Sequence, residues 1–282
     1  VVIRTANGVT VKFRKSNGDL TDYSLDGHRL LAGNPTPLFW RAPTDNDFGE
    51  GIQVRSNVWR SAGYNRRLVN MDVTTEENKV IVTNKYRLPD VNSDYMLRYT
   101  VFPNGSLGVD ASFTPDNAKA LPEMMRFGII TQTPKDMDNF AWTGRGPWEN
   151  YSDRNTAAFV GNYSKKVADM FHPYIRPQET GYLTDVTRAS LTDAKGYGVE
   201  VETLQPLNIT ALDVQPSDLD FGVDKHQIHN SDVRHSRGHN YLYIDLFQRG
   251  VGGDNSWGAH PHAPYRHFAG NLSYSFLLNP LK

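Results

Sequence analysis

The 282-residue sequence contains no cysteine, and its formal net charge is only −1, from 30 Lys+Arg against 31 Asp+Glu. The lack of cysteine excludes a disulfide scaffold, a thiolate metal site and a cysteine nucleophile. The balanced charge excludes the strongly basic surface through which proteins bind nucleic acid, so no nucleic-acid partner is expected. Because no apolar run approaches 18 residues, the sequence predicts no membrane span and no membrane partner.

The N-terminus lacks an initiator methionine, since the chain starts at Val1. It also lacks the charged and then apolar segments of a signal peptide. We therefore expect the chain to be a piece of a longer protein, and its lack of cysteine is compatible with both cytoplasm and periplasm. The length suffices for a large β-domain whose core needs no cross-links. Because no linker, repeat or low-complexity tract is visible, we predict one domain over residues 1–282.

The dominant pattern is the two-residue period of β-strands. Residues 9–14 alternate apolar and polar side chains, and similar strands are predicted at 80–86, 95–102, 107–113, 241–247 and 272–278. Turn residues recur about every ten positions, which is typical of an all-β sandwich or barrel. Strands and helices do not alternate, so the chain does not encode a TIM barrel. Only residues 56–62, with Ser56 as a possible cap, and residues 217–221 are helix candidates.

The highest density of aromatic and charged side chains lies in residues 144–154, Gly-Arg-Gly-Pro-Trp-Glu-Asn-Tyr-Ser-Asp-Arg. Its two glycines and its proline exclude a regular helix through the first half. The run carries two aromatic rings, two carboxylates and two guanidinium groups. Such groups suit a sugar, whose C–H faces stack on rings while its hydroxyls pair with charges. From composition alone, a structural loop of buried ion pairs is the favoured interpretation.

Five segments, in order, resemble the C-terminal domain of bacterial LacZ-type β-galactosidases. They are residues 39–47 (Phe-Trp-Arg-Ala-Pro-Thr-Asp-Asn-Asp), 144–154, 169–179 (Asp-Met-Phe-His-Pro-Tyr-Ile-Arg-Pro-Gln-Glu), 250–257 (Gly-Val-Gly-Gly-Asp-Asn-Ser-Trp) and 264–266 (Pro-Tyr-Arg). The resemblance implies a galactose-mutarotase-like super-sandwich, two large antiparallel sheets packed face to face. It also implies the C-terminal piece of a multidomain retaining glycosidase that hydrolyses terminal β-D-galactosides such as lactose.

The same resemblance implies that the catalytic residues lie elsewhere. Retaining glycosidases need two carboxylates about 5–5.5 Å apart. In this family both come from the barrel domain, whose Glu-Tyr-x-His-x-Met-Gly-Asn motif is absent from this chain. We therefore expect the isolated chain to be inactive and to need no cofactor, with magnesium and sodium ions in the barrel of the parent. The expected partners are the galactoside substrate and the other domains of the same polypeptide, and the family pattern is compatible with a homo-oligomeric parent.

Trp257 is the predicted substrate-binding residue. It follows a glycine-rich stretch that can reverse the chain, and Asp254, Asn255 and Ser256 can fold back on their own amides. The result would be a stiff turn that presents an indole, although a core tryptophan covering the sandwich end remains the alternative. The resemblance implies that Trp257 reaches into the active site of the neighbouring barrel as a platform for substrate.

Two charged clusters admit a functional and a structural interpretation. Arg41, Asp45, Asn46 and Asp47 could bind a cation or form an acid–base pair. We favour a buried ionic lock, in which Arg41 forks onto a carboxylate while the Asp and Asn side chains satisfy loop amides, because the segment joins the first hairpin to the body of the domain. The second cluster, predicted to be a structural network because its charges balance, comprises Arg145, Glu149, Asp153 and Arg154.

Two other functions remain open. An aldose epimerase of the same fold would need a His–Glu pair, and the candidate carboxylates are Glu123, Glu179, Glu200 and Glu202, with no particular histidine indicated. A non-catalytic carbohydrate-binding module would use Trp148 and Trp257. A zinc site at His235 and His239 is disfavoured, because Ser-Arg-Gly between them indicates a loop rather than one helical face.

Two positions depart from the family's pattern. Glu123 follows Leu-Pro where a basic residue is more usual, and residues 184–188 carry an extra threonine before the arginine. These departures leave local loop structure open without changing the predicted fold.

Overall fold

The computed structural model of the chain describes residues 1–224, 226–255 and 258–282. The described residues form β1 (Val2–Arg4), β2 (Val9–Phe13), β3 (Leu20–Leu25), β4 (His28–Leu31), β5 (Thr36–Leu38), α1 (Asp45–Glu50), α2 (Ile52–Arg55), α3 (Trp59–Ala62), β6 (Arg67–Glu76), β7 (Lys79–Leu88), β8 (Ser93–Val101), β9 (Leu107–Pro115), β10 (Arg126–Pro134), β11 (Asn139–Gly146), β12 (Phe159–Lys166), β13 (Val186–Thr192), β14 (Gly198–Leu212), α4 (Pro216–Leu219), β15 (His239–Gln248) and β16 (Leu272–Leu281). Single 3₁₀ turns lie at Pro89–Val91, Ala118–Ala120, Val167–Asp169, Asn230–Asp232 and Ala263–Tyr265. Among these elements there is no helix with the length and apolar character that a membrane crossing requires.

Twelve of the sixteen strands in the described residues belong to one large, antiparallel sheet system. Nine strands follow the order β12-β11-β13-β14-β16-β9-β8-β7-β6, and β5, β10 and β15 join this path through β14. Residues 198–202 of β14 pair with both β13 and β16, Leu207 pairs once more with β13, and residues 208–212 pair with β15. Strands β1 to β4 form a separate four-stranded sheet. One strand therefore connects the nine-stranded layer with the layer that contains β10 and β15.

The layers pack face to face through aromatic side chains. Phe127 on β10 contacts Phe113 on β9 and Tyr274 on β16, with ring centroids 6.2 and 5.6 Å apart. Phe13 on β2 contacts Tyr99 on β8 at 5.1 Å. Each such pair adds about 0.5–1.5 kcal/mol beyond the burial of its area. The predicted all-β super-sandwich is confirmed. That residues 1–282 form a single domain stays a prediction.

The helices differ from the sequence prediction. The candidate at 56–62 is helical only over Trp59–Ala62, because the Ser56 hydroxyl donates to the carbonyl of Glu123 at 2.7 Å and does not cap a helix. The candidate at 217–221 begins earlier and spans Pro216–Leu219. Helix α1 was not predicted. It begins at a capping box, in which Thr44 and Asp47 each accept the backbone N–H of the other.

Candidate functional site

The five family-like segments, far apart in the sequence, contact one another around the end of β15. Each contact is a hydrogen bond between two different segments: Ala42 carbonyl with Glu179 N–H, Glu149 with Tyr174, Asn46 with Val251 carbonyl, Asp153 with Gly252 N–H, and Gly250 N–H with Tyr265 carbonyl. Sequence alone placed these segments in order but did not bring them together. Their convergence defines the candidate site.

The predicted ionic lock at Arg41 is confirmed. Arg41 is fully buried and donates from Nε and Nη2 to both carboxylate oxygens of Asp47, at 3.0 and 2.7 Å. Asp47 also accepts from the Thr44 N–H at 2.9 Å, so its oxygens are already engaged and an acid–base role is disfavoured. Burial alone would lower the pKa of Arg41, but the adjacent Asp47 carboxylate raises it overall. One detail of the prediction is wrong, because Asn46 donates to the carbonyl of Val251 and does not accept from a loop amide.

Arg249 extends this lock into a larger group of buried charges. Its guanidinium, 1% exposed, lies 2.6 Å from Glu50, 2.6 Å from Glu123 and 3.4 Å from Asp47. Arg266 adds a second cation to Glu123, with Nη2 2.8 Å from Oε2. We call these six residues the ionic cluster, and three arginines balance three carboxylates in it: Arg41, Asp47, Glu50, Glu123, Arg249 and Arg266. Burial opposes ionisation of Glu123, but hydrogen bonds from Arg266 and Arg249 lower its pKa overall.

A second buried charge group lies directly beside the ionic cluster. Arg126 contacts Glu179 at 2.6 Å and Asp245 at 2.9 Å, and Gln248 joins the two groups by donating to Glu179 and accepting from Arg41. Burial raises the pKa of Asp245 to about 7, although Arg126 opposes the shift. The Asp245 carboxylate fits in this place because residue 128 on the adjacent strand is a glycine. A Cβ at Gly128 would lie 1.7 Å from the Asp245 Oδ1 atom.

The 144–154 loop forms only part of the predicted network. Arg154 pairs with Glu149 at 2.8 Å, as expected for a structural loop. Arg145 instead pairs with Asp185, in the segment with the extra threonine. Asp153 forms no pair with either arginine and accepts the N–H of Gly252 at 2.9 Å. The balance of charges in the sequence therefore indicated a network but not its connections.

The glycine-rich segment, residues 250–255, is the described part of the predicted substrate-contacting turn. Its first residue, Gly250, packs against Asp153 so closely that a Cβ would lie 2.5 Å from a carboxylate oxygen. Trp257 itself lies outside the described residues, as does Ser256. The role of Trp257 in substrate binding therefore stays a prediction.

A small polar cavity of about 120 Å³ lies among the converged segments. Its lining draws on four of the five segments through residues such as Asn46, Tyr151, Gln178 and Val251. Trp148, on the 144–154 loop that contributes Tyr151 to this lining, is 55% exposed. In the described residues, no group of three or more His, Asp or Glu side chains is arranged to hold a metal ion.

The carboxylates considered for an epimerase are engaged elsewhere. Glu123 and Glu179 belong to the buried charge groups, Glu200 pairs with Arg188 at 2.9 Å, and Glu202 accepts from Asn279 at 3.2 Å. Within the described residues, none of these four carboxylates forms a hydrogen bond with a histidine side chain. The glutamate that does so is Glu50, whose partner is His260. His235 hydrogen bonds Asp213 at 2.9 Å from a loop, and His239 begins β15.

Sequence reasoning missed several members of these buried groups, namely Arg126, Asp245, Gln248, Arg249 and Glu50. A charge within an apolar strand was the available signal. Asp245 interrupts Tyr-Leu-Tyr-Ile-Asp-Leu-Phe, and Arg126 follows two methionines. Because a buried charge requires a partner, such interruptions predict ion pairs in the core.

A protein-family model described as the β-galactosidase small chain matches residues 5–278. The chain belongs to this family. The β-galactosidase of Priestia megaterium is 32% identical over 279 residues, which cover 98% of this chain and 26% of the relative. For the enzymes of Halalkalibacterium halodurans and Lactobacillus delbrueckii subsp. bulgaricus the identity is 33%, over 91% and 92% of this chain and 25% of each relative. The small chain thus spans about a quarter of the length of these relatives.

Solved structures place the small chain in the galactose mutarotase-like fold. The galactose 1-epimerase of Lactobacillus acidophilus superposes with a TM-score of 0.56 at 10% identity, over 100% of this chain and 93% of the epimerase. A GalM/aldose epimerase homologue from C. elegans gives 0.53 at 10% identity, over 100% and 98%. At such low identity the likeness concerns the fold alone.

Proposed function

We propose that this small chain is the C-terminal part of a retaining β-galactosidase and supplies one wall of an active site whose catalytic carboxylates lie in a barrel domain outside this sequence. The parent enzyme hydrolyses terminal β-D-galactosides such as lactose through a galactosyl-enzyme intermediate. Trp257 stacks on the galactose ring or on the sugar that leaves. The barrel carries the magnesium and sodium ions, and this chain contributes no catalytic residue.

The hydrogen bonds that three other segments make with the stretch before Trp257 carry this proposal. Side chains from two other segments contact residues 251 and 252, five to six positions ahead of Trp257. A stretch held in this way is suited to presenting a ring in a fixed place, which stacking on a sugar requires. The family membership supports the galactoside as substrate.

The test is the kinetics of Trp257→Ala and Trp257→Phe in the complete enzyme. A stacking ring contributes about 1–2 kcal/mol, so Trp257→Ala should raise KM by about 5- to 30-fold. Because stacking acts on bound substrate and transition state alike, kcat should change much less. Trp257→Phe keeps a ring and should recover most of the loss. An unchanged KM in Trp257→Ala would contradict the proposal.

Trp148→Ala is the matched control, because Trp148 lies in another of these segments and is exposed, whereas Trp40 is buried. A wall formed by Trp257 predicts little change for Trp148→Ala. The isolated small chain should neither hydrolyse a nitrophenyl galactoside nor accelerate mutarotation of galactose. It should also bind galactosides very weakly, because the contacts of an incomplete pocket do not offset the entropy lost on binding. Millimolar binding that is abolished by Trp257→Ala or Trp148→Ala would favour a carbohydrate-binding module.

A further inference from the structure

We infer that Asn46 and Asp153, together with Arg41, are positioning residues that hold the backbone of residues 249–252 and thereby fix where Trp257 lies. This inference rests on the proposed function of Trp257 but concerns residues that would never touch the substrate. They would act only through the chain that precedes the indole. Its physical basis is a series of side-chain hydrogen bonds to four consecutive residues.

Those hydrogen bonds come from two different segments. Arg41 donates from Nη1 to the carbonyl of Arg249 and from Nη2 to the carbonyl of Gly250, the latter at 2.9 Å. Asn46 Nδ2 donates to the carbonyl of Val251 at 2.8 Å. Asp153 Oδ2 then accepts the N–H of Gly252 at 2.9 Å.

These bonds replace the ladder that the backbone loses at the end of the strand. Strand β15 ends at Gln248, so the following carbonyls have left its strand pairing. A polar backbone group in a partly buried place needs another partner, and here side chains supply it. Because two of the acceptors are bonded by one rigid guanidinium, the direction of the chain is fixed as well as its position.

The residues that hold the segment are themselves fixed. Arg41 is locked onto Asp47, and Asn46 lies on helix α1, whose first turn is closed by the capping box. Asp153 fits against the segment because Gly250 has no Cβ. Contact from both sides, by α1 and by the 144–154 loop, limits the directions in which residues 250–252 can move.

Asp153 and Asn46 are the residues to test, because removing Arg41 would leave the buried Asp47 without its main partner and endanger folding. Asp153→Ala removes the acceptor for the Gly252 N–H, whereas Asp153→Asn keeps a carbonyl oxygen at the same place. Asn46→Ala removes the donor to Val251. Asn70→Ala is the matched control for Asn46, because Asn70 lies on β6 and donates to the exposed side chain of Asp72.

The first measurement is amide hydrogen exchange of the small chain itself, read for the peptide that contains residues 250–255. A hydrogen bond to a carboxylate is strong enough that Asp153→Ala should accelerate exchange of the Gly252 N–H by at least about tenfold. Asn46→Ala should accelerate exchange in the same peptide by about fivefold. Asp153→Asn should recover most of the protection, and Asn70→Ala should leave it unchanged. Unchanged exchange in both Asp153→Ala and Asn46→Ala would overturn the inference, whatever the role of Trp257.

The second measurement is a double-mutant cycle with Trp257→Ala in the complete enzyme. If Asp153 acts through the indole, Asp153→Ala should raise KM several-fold with kcat within about twofold, and should have little further effect once Trp257 is alanine. A full additional effect in the Trp257→Ala background would overturn the inference. If Trp257→Ala alone leaves kcat/KM unchanged, the proposed function fails, and the exchange experiment still decides whether these residues hold the segment.

Discussion

Replacing Glu123 by glutamine should strongly destabilise the small chain, because this carboxylate joins two arginines of the ionic cluster. Glu123 is only 7% exposed and accepts from Arg249 Nε at 2.6 Å. It also accepts from Arg266 Nε and Nη2, at 3.1 and 2.8 Å. Glutamine keeps one oxygen of similar position but turns an NH₂ group toward a guanidinium that also donates.

The expected loss follows from these contacts. A hydrogen bond to a charged group contributes about 1.5–3 kcal/mol, and Glu123→Gln removes at least one of them together with the net charge. Arg249 keeps its ion pairs with Glu50 and Asp47 and therefore loses only one of its three carboxylate partners. The guanidinium of Arg266 is more exposed and can form hydrogen bonds with water instead. We expect a loss of about 3 kcal/mol in the free energy of unfolding at neutral pH. Glu123→Lys, which places a third cation between two arginines, should cost more than about 4 kcal/mol.

Urea denaturation at several pH values measures both the size and the origin of this loss. The folded state lowers the pKa of Glu123 below its ordinary value of 4.5, so its contribution is complete above that pH and disappears as the carboxylate becomes protonated in the folded state. The difference between wild type and Glu123→Gln should therefore shrink as the pH falls below about 4.5. Glu76→Gln is the control, since Glu76 is an exposed partner of Lys79 at 3.9 Å and should change stability by less than about 0.5 kcal/mol. A loss below about 1 kcal/mol in Glu123→Gln at neutral pH would refute the reasoning.

Two further predictions concern Asp245. Because burial raises its pKa to about 7 from an ordinary 3.8, the folded state keeps a proton that the unfolded state has released, and stability should fall by about 1.4 kcal/mol per pH unit between those values. Asp245→Asn lacks this slope, so its unfolding free energy relative to wild type should increase as the pH rises from about 5 to about 7, and parallel curves in chemical denaturation would contradict the assignment. Gly128→Ala should cost about 3–5 kcal/mol in the same assay, because the new Cβ displaces the Asp245 carboxylate from Arg126; a loss under about 1 kcal/mol would show that the carboxylate can move freely.

The strands were predictable from sequence where one face is buried and the other is open. β2 alternates buried and partly exposed residues along Val9–Phe13. β7 and β8 lie where they were predicted, but β7 ends at Leu88 and β8 begins at Ser93, so each extends two residues further into the connecting loop than the predicted 80–86 and 95–102. Helix α1 was missed because its sequence, Asp-Asn-Asp-Phe-Gly-Glu, has no apolar period and contains a glycine. Its available signal was the spacing of Thr44 and Asp47, which is that of a capping box.

The candidate site was predictable in its parts but not in its connections. The Arg41 lock followed from local sequence because both partners lie within six residues. The partners of Arg249, by contrast, come from residues up to 202 positions away, and only the sheet topology brings them together. Asp153 shows the same limit, since its acceptor role depends on Gly252, 99 residues further along the chain. Charge balance within a segment cannot reveal pairs that form between segments.

The middle of β14 separates the two halves of that long strand. Arg188 pairs with Glu202 and Val186 pairs with Leu207, so four residues of β14 stand opposite a single residue of β13. Leu204, within this excess, is fully exposed. An insertion or deletion of one residue there should change only the length of this extra stretch of β14 and leave the strand pairing on either side of it intact. Each layer of the sandwich can therefore accommodate a change in chain length at this position without a shift in the strand register of the other layer.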